Sequence, residues 1–157
     1  MGNHPIWERI KASNEMKPSE DRWTSAAFRI ISEKLNIEDI YAKITFQPTK
    51  CFVKGELCSK RNQKSKIRES NLWILESKLN DQETIERHIE YFLSFLKENA
   101  EGIRALQAEC EFDIFCGFSS ENGQGGFTLD HEILEELAKY PVGLSVNLYP
   151  PEGNNEA

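Results

Sequence analysis

Apolar and polar residues alternate along several segments of the chain, and in other segments the apolar residues recur every three or four positions. The first alternation covers residues 22–32, where Thr24, Ala26, Phe28 and Ile30 share one face of an extended strand. The opposite face of this segment also carries apolar residues. Strands that are apolar on both faces lie inside sheets, so the pattern predicts a central strand.

The same period of two residues predicts four further strands. They cover residues 49–53, 71–77, 112–118 and 142–149.

A helical period of apolar residues predicts three main helices. A short helix follows Asn36, a good N-cap residue, and ends before Pro48. The longest helix follows Asp81, the N-cap predicted for it, and Gly102 is predicted to break it. The last helix covers residues 131–139.

These elements predict one hydrophobic core between a sheet and the longest helix. On the sheet its predicted members are Trp73, Phe112, Ile114, Phe118, Leu144 and Val146. From the helices the inward-facing residues are Phe92, Leu96, Ile133, Leu134 and Leu137. The fold class that follows is α+β, a two-layer sandwich with about five strands in one antiparallel or mixed sheet and the helices packed on one face.

The chain has 157 residues, a length that suits one domain. Residues 22–151 are predicted to form that domain, after a loosely attached arm, residues 1–21, and before a polar tail, residues 152–157. Segments 32–48 and 125–141 each combine a cap residue, an acidic first turn, a helix and a proline exit. They suggest a duplicated strand-helix unit, although two short amphipathic helices also look alike by chance.

Charge is distributed unevenly along the chain. The net charge is −7, but residues 50–68 carry seven basic residues against one acidic residue. Residues 97–157 carry twelve acidic residues and three basic ones. An acidic region of this kind disfavours nucleic-acid binding and attracts a basic partner. The alternative is that its charges serve only to keep the protein in solution. Residues 57–70 are predicted to be a basic, solvated loop.

The sequence also bears on the compartment. It has neither an apolar run long enough to cross a membrane nor a signal peptide in residues 1–17, so a cytoplasmic location is expected, without a membrane partner. The cysteines are Cys51, Cys58, Cys110 and Cys116. Their spacing and the apolar setting of Cys116 favour reduced structural thiols over a zinc site.

A glycine-rich turn at residues 122–126 follows the strand 112–118. Its Asn122-Gly123 pair favours a hairpin in which residues 127–129 pair back on the sheet, and the alternative is a ligand-binding loop. Nearby carboxylates such as Glu121 and Asp130 would repel a phosphate. Valine at Gly125 or Gly126 is expected to harm folding through backbone strain.

No residue set has a catalytic or metal-binding signature, so no catalytic residue, metal or cofactor is predicted. The histidines are His4, His88 and His131, and none lies beside a nucleophile at a characteristic spacing. The carboxylates around the glycine turn do not match a calcium-binding loop.

Several segments resemble a known family. They are QPTKCFVKGE from Gln47, LWILES from Leu72, FCGFSSENGQGGFTLDHEIL from Phe115 and VNLYP from Val146. In this order they are similar to the bacterial family catalogued as domain of unknown function 4279, over residues 22–151. The resemblance brings no established activity or catalytic residue. It implies a small bacterial cytoplasmic protein and, by analogy with other small acidic domains, a neighbour or inhibitor of a toxin.

The leading hypothesis is a non-enzymatic binding protein, in its most concrete form an immunity-type inhibitor of a basic toxin. Its expected partner-binding residues are Glu121, Asn122, Asp130, Glu132, Glu135 and Glu136. The alternatives are a small-ligand-binding protein or hydrolase that uses a cleft beside residues 122–126, with Asp113, Glu121 or Asp130 as acid or base, and a regulatory domain. The sequence carries no signal for an oligomeric state.

Overall fold

The computed structural model describes residues 22–150, which form five strands and four helices. The strands are β1 (Arg22–Ser32), β2 (Lys50–Phe52), β3 (Asn71–Glu76), β4 (Glu111–Ser120) and β5 (Gly143–Tyr149). The helices are α1 (Ile37–Tyr41), α2 (Ile85–Glu98), α3 (Ala100–Leu106) and α4 (His131–Ala138). The predictions of an N-terminal arm and a polar tail concern residues 1–21 and 152–157, which lie outside the described part of the chain.

The five strands form one mixed sheet in the order β2-β3-β1-β4-β5. Antiparallel pairing joins β2 to β3, β3 to β1 and β1 to β4, whereas β4 and β5 are parallel and are connected through α4. As predicted, β1 is the central strand. The predicted α+β sandwich with a mixed sheet is therefore confirmed.

Burial alternates along β1, and this alternation places the helices on one face of the sheet. Thr24, Ala26, Phe28, Ile30 and Ser32 are buried, and the residues between them are half-buried or exposed. The buried face joins residues from all four helices in one core. We call it the helix-side face, and we call the opposite face, which no described element covers, the open face.

Two helix boundaries differ from those predicted. The N-cap of α2 is Thr84, whose side chain accepts a hydrogen bond from Arg87 N, and not Asp81. The Asp81 carbonyl instead accepts hydrogen bonds from the amide and the hydroxyl of Thr24 on β1, at 2.6 and 3.0 Å. This contact holds the segment before α2 in a non-helical turn. The cap at Asn36 is confirmed, with a reciprocal bond to Asp39.

The break after α2 lies at Asn99 and not at Gly102. The side chain of Asn99 donates to Phe95 O at 3.0 Å and accepts from Thr45 N at 2.9 Å, so it ties the helix end to the segment that follows α1. Gly102 lies inside α3, where a Cβ would come within 2.0 Å of Lys43 O. This glycine allows close packing of α3 and does not end a helix.

The predicted core is confirmed except near β5 and α4. Trp73, Ile114 and Phe92 are fully buried, but Leu144 is 38% exposed. The predicted inward residue Leu134 is 51% exposed. Leu144 is exposed because β5 is an edge strand, and Leu134 is exposed because α4 buries the neighbouring Ile133 instead.

The basic loop is more ordered than the sequence suggests. Backbone bonds join Gly55 N to Arg68 O and Cys58 N to Lys66 O, so the segment folds back on itself as a narrow hairpin-like arm. The guanidinium of Arg68 also lies 3.8 Å from the ring centroid of Phe52 on β2. We call residues 55–68 the basic arm.

The suggested duplication extends only to the helices. Segments 32–48 and 125–141 each form a capped helix, α1 and α4. However, α4 connects two adjacent parallel strands, whereas α1 connects β1 to β2, which β3 separates. The two units therefore have different topologies.

Replacing Phe92 by alanine tests the core. The side chain is fully buried, so we expect Phe92→Ala to lower the free energy of unfolding by about 3 to 5 kcal/mol. Leu134→Ala, at a half-exposed apolar position, should change it by less than about 1 kcal/mol. Urea unfolding of both variants gives the comparison, and similar losses would contradict the packing described.

Candidate functional site

The predicted partner-binding residues lie at the end of the sheet where β4 runs into α4. Asp130, Glu132, Glu135 and Glu136 lie at the start of or within α4. Glu121 and Asn122 lie in the loop that precedes this helix. We call these six residues the acidic surface. All except Glu136, which is half-buried, are exposed to solvent.

Three members of the acidic surface have structural roles. The side chain of Asp130 caps α4 by accepting from Ile133 N at 3.0 Å. Asn122 Oδ1 accepts from Gln124 N at 2.9 Å and so shapes the glycine turn. Glu136 forms an ion pair with Lys139. Their side chains are therefore engaged within the chain before any partner is considered.

The other three members form no ion pair with a lysine or arginine of residues 22–150. Among the described residues, Glu121 and Glu135 form no hydrogen bond or ion pair. Glu132 lies 3.8 Å from the exposed ring of His131, a contact that is ionic only when the histidine is protonated. Three carboxylates thus face solvent on one connected stretch of chain.

The glycine turn adopts the backbone that its residues predict, but it does not form a hairpin. Gly123 and Gly125 have φ values of 69° and 152°, so positive φ is confirmed. Residues 127–129 form no strand and lead directly to α4. The predicted hairpin is therefore wrong. Thr128 N instead donates to Glu86 Oε1 on α2 at 2.8 Å, and this bond draws the loop toward the helices.

The residues proposed for an acid or base beside the turn are not brought together. Asp113 lies near the start of β4, whereas the turn follows the end of this strand, so about seven residues of extended chain separate them, or roughly 23 Å. Asp113 is also bound by both Nε and Nη2 of Arg29, at 2.8 and 2.6 Å. Ser145 Oγ donates to it as well, at 3.1 Å. Asp113 is thus a structural ion-pair partner on the open face.

Sequence reasoning missed this open-face network and the aromatic pair beside it. The guanidinium of Arg29 lies 4.3 Å from the ring centroid of Phe115. Farther along the strands, Trp23 packs over Gly117 and meets the ring of Tyr149 edge to face, at a centroid distance of 5.8 Å. These contacts depend on the register between β1, β4 and β5, which no single segment reveals.

A buried histidine network was also missed. His88 Nδ1 lies 2.8 Å from Ser77 Oγ, and His88 Nε2 lies 3.1 Å from Thr24 Oγ1. Burial lowers the pKa of His88, against weaker opposing effects of Glu83, Asn80 and Asp81. The sequence contained one indication that His88 is buried, because this residue lies in the apolar stripe of α2, one turn after Ile85. The network joins β1, the end of the strand segment that contains β3, and α2. His88 and Thr24 are buried and Ser77 is half-buried, which suits a structural role.

Residues 22–150 hold a surface cavity away from the acidic surface but no metal-binding cluster. In residues 22–150 no three His, Cys, Asp or Glu side chains are grouped to hold a metal ion. A surface cavity of about 340 Å³ lies at the opposite end of β4 from the glycine turn, between Ser32, Lys34 and Glu109. None of the helices α1 to α4 has the length and apolar character to cross a membrane.

The four cysteines are free. Cys110 and Cys116 are buried, and burial raises the pKa of the Cys116 thiol to about 12. Cys116 is therefore an unreactive core residue, as its place on an apolar strand face predicts.

Comparison with known proteins gives one match. A family model described as "Domain of unknown function (DUF4279)" matches residues 21–151. No curated protein and no solved structure matches the chain. The matched range contains all five strands and all four helices, and therefore the whole acidic surface.

Gly125 and Gly126 give a matched pair of substitutions at the turn. Gly125 has positive φ, and a Cβ there would lie 2.5 Å from Phe118 Cζ, whereas a Cβ at Gly126 would meet no atom within 4 Å. We expect Gly125→Val to cost about 1 to 3 kcal/mol of stability and Gly126→Val much less. Equal melting temperatures for the two variants would contradict this geometry. The sequence alone predicted that valine at Gly126 would harm folding as well, and the open space around Gly126 reverses that expectation.

His88 predicts a pH dependence of stability. Because burial lowers its folded-state pKa below the unfolded value of about 6.5, the unfolded chain binds the proton more readily. Stability is therefore full above about pH 6.5 and falls as the pH drops toward the folded-state pKa. Urea unfolding at about pH 7.5 and about pH 5.5 should show the loss. His131→Gln should keep this slope and His88→Gln should flatten it; an unchanged slope in His88→Gln would refute the assignment.

Proposed function

This chain belongs to the DUF4279 family, and we propose that it is a non-enzymatic binding protein whose acidic surface binds a basic protein partner. The observation that carries the proposal is the set of three exposed carboxylates, Glu121, Glu132 and Glu135, with which no lysine or arginine of residues 22–150 forms an ion pair. They lie in the third of the chain with twelve acidic and three basic residues. A partner with a matching basic patch would gain chiefly in association rate.

The sheet order supports this proposal by separating the charges. The basic arm adjoins β2 at one edge of the sheet, and α4 is the helix that leads into β5 at the other edge. The arm and the acidic surface therefore adjoin opposite edges, which leaves the negative potential of the acidic surface available to a partner. Salt shortens the reach of this potential to about 8 Å at physiological ionic strength.

Repulsion within α4 favours the same partner. Glu132 and Glu135 are three residues apart on one helix, and Glu132 and Glu136 are four apart, so their charges repel in the free protein. Lys139 forms its ion pair with Glu136, and the charge of Glu135 also acts on it, more weakly. A cationic side chain placed between Glu132 and Glu135 would relieve the remaining repulsion.

The most specific form of the proposal is an immunity-type inhibitor that occupies a basic toxin in the cytoplasm. The free cysteines suit a reducing compartment of this kind. For the alternative, a ligand-binding protein or hydrolase at the glycine turn, Asp113 is far from the turn and Asp130 is engaged as a helix cap.

Charge reversal tests the proposal. The variant Glu121→Lys/Glu132→Lys/Glu135→Lys should slow association with a partner isolated by pull-down from the native host, by at least about tenfold at low salt. The effect should shrink as salt rises. Association kinetics at two salt concentrations measure both changes.

A matched control separates the surface from the overall charge. Glu33→Lys/Glu56→Lys/Glu69→Lys changes the net charge equally at three exposed positions outside the acidic surface. It should leave the association rate close to that of the natural chain. Equal slowing by both variants, or recovery of only acidic or uncharged partners, would refute the proposal and favour the regulatory alternative.

A further inference from the structure

We propose that β5 is a dimerisation edge, at which two copies of the chain pair through antiparallel β5 strands. This inference is independent of the basic partner. It rests on the open edge of β5, on its exposed leucines and on their spacing along the strand.

The outer edge of β5 is unpaired among the described residues. This strand pairs with β4 on one side, and no described strand or bridge lies on its other side. An edge strand presents backbone N–H and C=O groups that a further strand can bind. Pro141 and Pro150 flank β5 and confine such pairing to its seven residues.

β5 lacks the features that normally protect an edge strand. Its sequence, GLSVNLY, contains no charged residue and no proline. The edge strand on the other side of the sheet, β2, is protected: it has three residues, one of them Lys50, and the basic arm follows it. The two edges of the same sheet therefore differ, and only β5 is long, apolar and uncharged.

Two leucines of β5 are exposed on the helix-side face. Leu144 and Leu148 pair in register with the buried residues Ile114 and Phe118, yet they are 38% and 75% exposed. They share this face with Val146, which packs partly against the core. Burying both leucines would remove apolar surface that the fold of one copy leaves in water.

The spacing of the leucines fits a second copy of the chain as the occupant. If a twofold axis passes beside Val146, antiparallel pairing places Leu144 of one copy directly opposite Leu148 of the other. By symmetry, Leu148 of the first copy then lies opposite Leu144 of the second. Ser145 then faces Asn147 on the open face. Apolar side chains thus meet on one face and polar side chains on the other, and the sheet continues across both copies.

Sedimentation equilibrium of the full chain tests this inference. We expect a concentration-dependent rise to about twice the monomer mass, and at least about tenfold weaker association for Leu144→Lys/Leu148→Lys. Ile67→Lys, at an apolar residue of the basic arm that is 61% exposed, should leave association unchanged. Monomers at every concentration, or equal weakening by Ile67→Lys, would overturn the proposal.

The salt dependence of association distinguishes this dimer from one that opposite charges hold together. Each copy carries a net charge of −7, so salt should maintain or strengthen a β5 dimer by screening repulsion. Binding of the basic arm of one copy to the acidic surface of another would instead weaken with salt. Such weakening would overturn the proposed β5 dimer. It would not refute the proposed basic partner, because it would point to the acidic surface and not to β5.

Cysteine cross-linking tests the register. In a Cys58→Ser background, Val146→Cys places the two new thiols opposite each other at the twofold axis, within reach of a disulfide. Asn147→Cys faces Ser145 of the other copy and should cross-link far less. Equal cross-linking of the two variants, or none at residue 146, would contradict the proposed pairing.

Discussion

The ring of Phe28, at the middle of β1, links the two layers of the molecule. It lies 5.0 Å from the ring centroid of Phe95 on α2, and 6.4 and 6.3 Å from those of Trp73 on β3 and Phe112 on β4. One fully buried side chain thus contacts the long helix and both strands that flank β1. Dispersion and hydrophobic burial around this ring hold the helices on one face of the sheet.

A sheet covered on one face leaves its other surfaces open to interaction. The open face carries the Arg29–Asp113 ion pair and the Trp23–Tyr149 contact, and none of the helices α1 to α4 packs on it. The two edges differ in charge, since the basic arm adjoins β2 whereas α4 leads into the uncharged β5. We therefore propose partner binding at the acidic surface beside α4 and self-association at β5, two neighbouring but chemically distinct regions.

Local pattern was enough to predict the strands and most of the core, because alternation in β1 and the apolar stripe of α2 depend on nearby residues alone. It gave wrong predictions for segments whose conformation depends on contacts with residues distant in the sequence. Asp81 is a good cap residue in isolation, but Thr24 binds its carbonyl, and the helix begins after Thr84. Asn122-Gly123 favours a hairpin, but Thr128 bonds to Glu86 instead. The Asp113–Arg29 pair depends on strand register, which sequence spacing does not contain.

Hydrogen exchange measured residue by residue, on the free protein and on its complex with the isolated partner, tests the central proposal most directly. If the acidic surface binds the partner, slowed exchange on binding will concentrate in the loop after β4 and in the first turns of α4, around Glu121, Glu132 and Glu135. Slowed exchange confined to the basic arm or to the strands of the open face, with α4 unchanged, would contradict it.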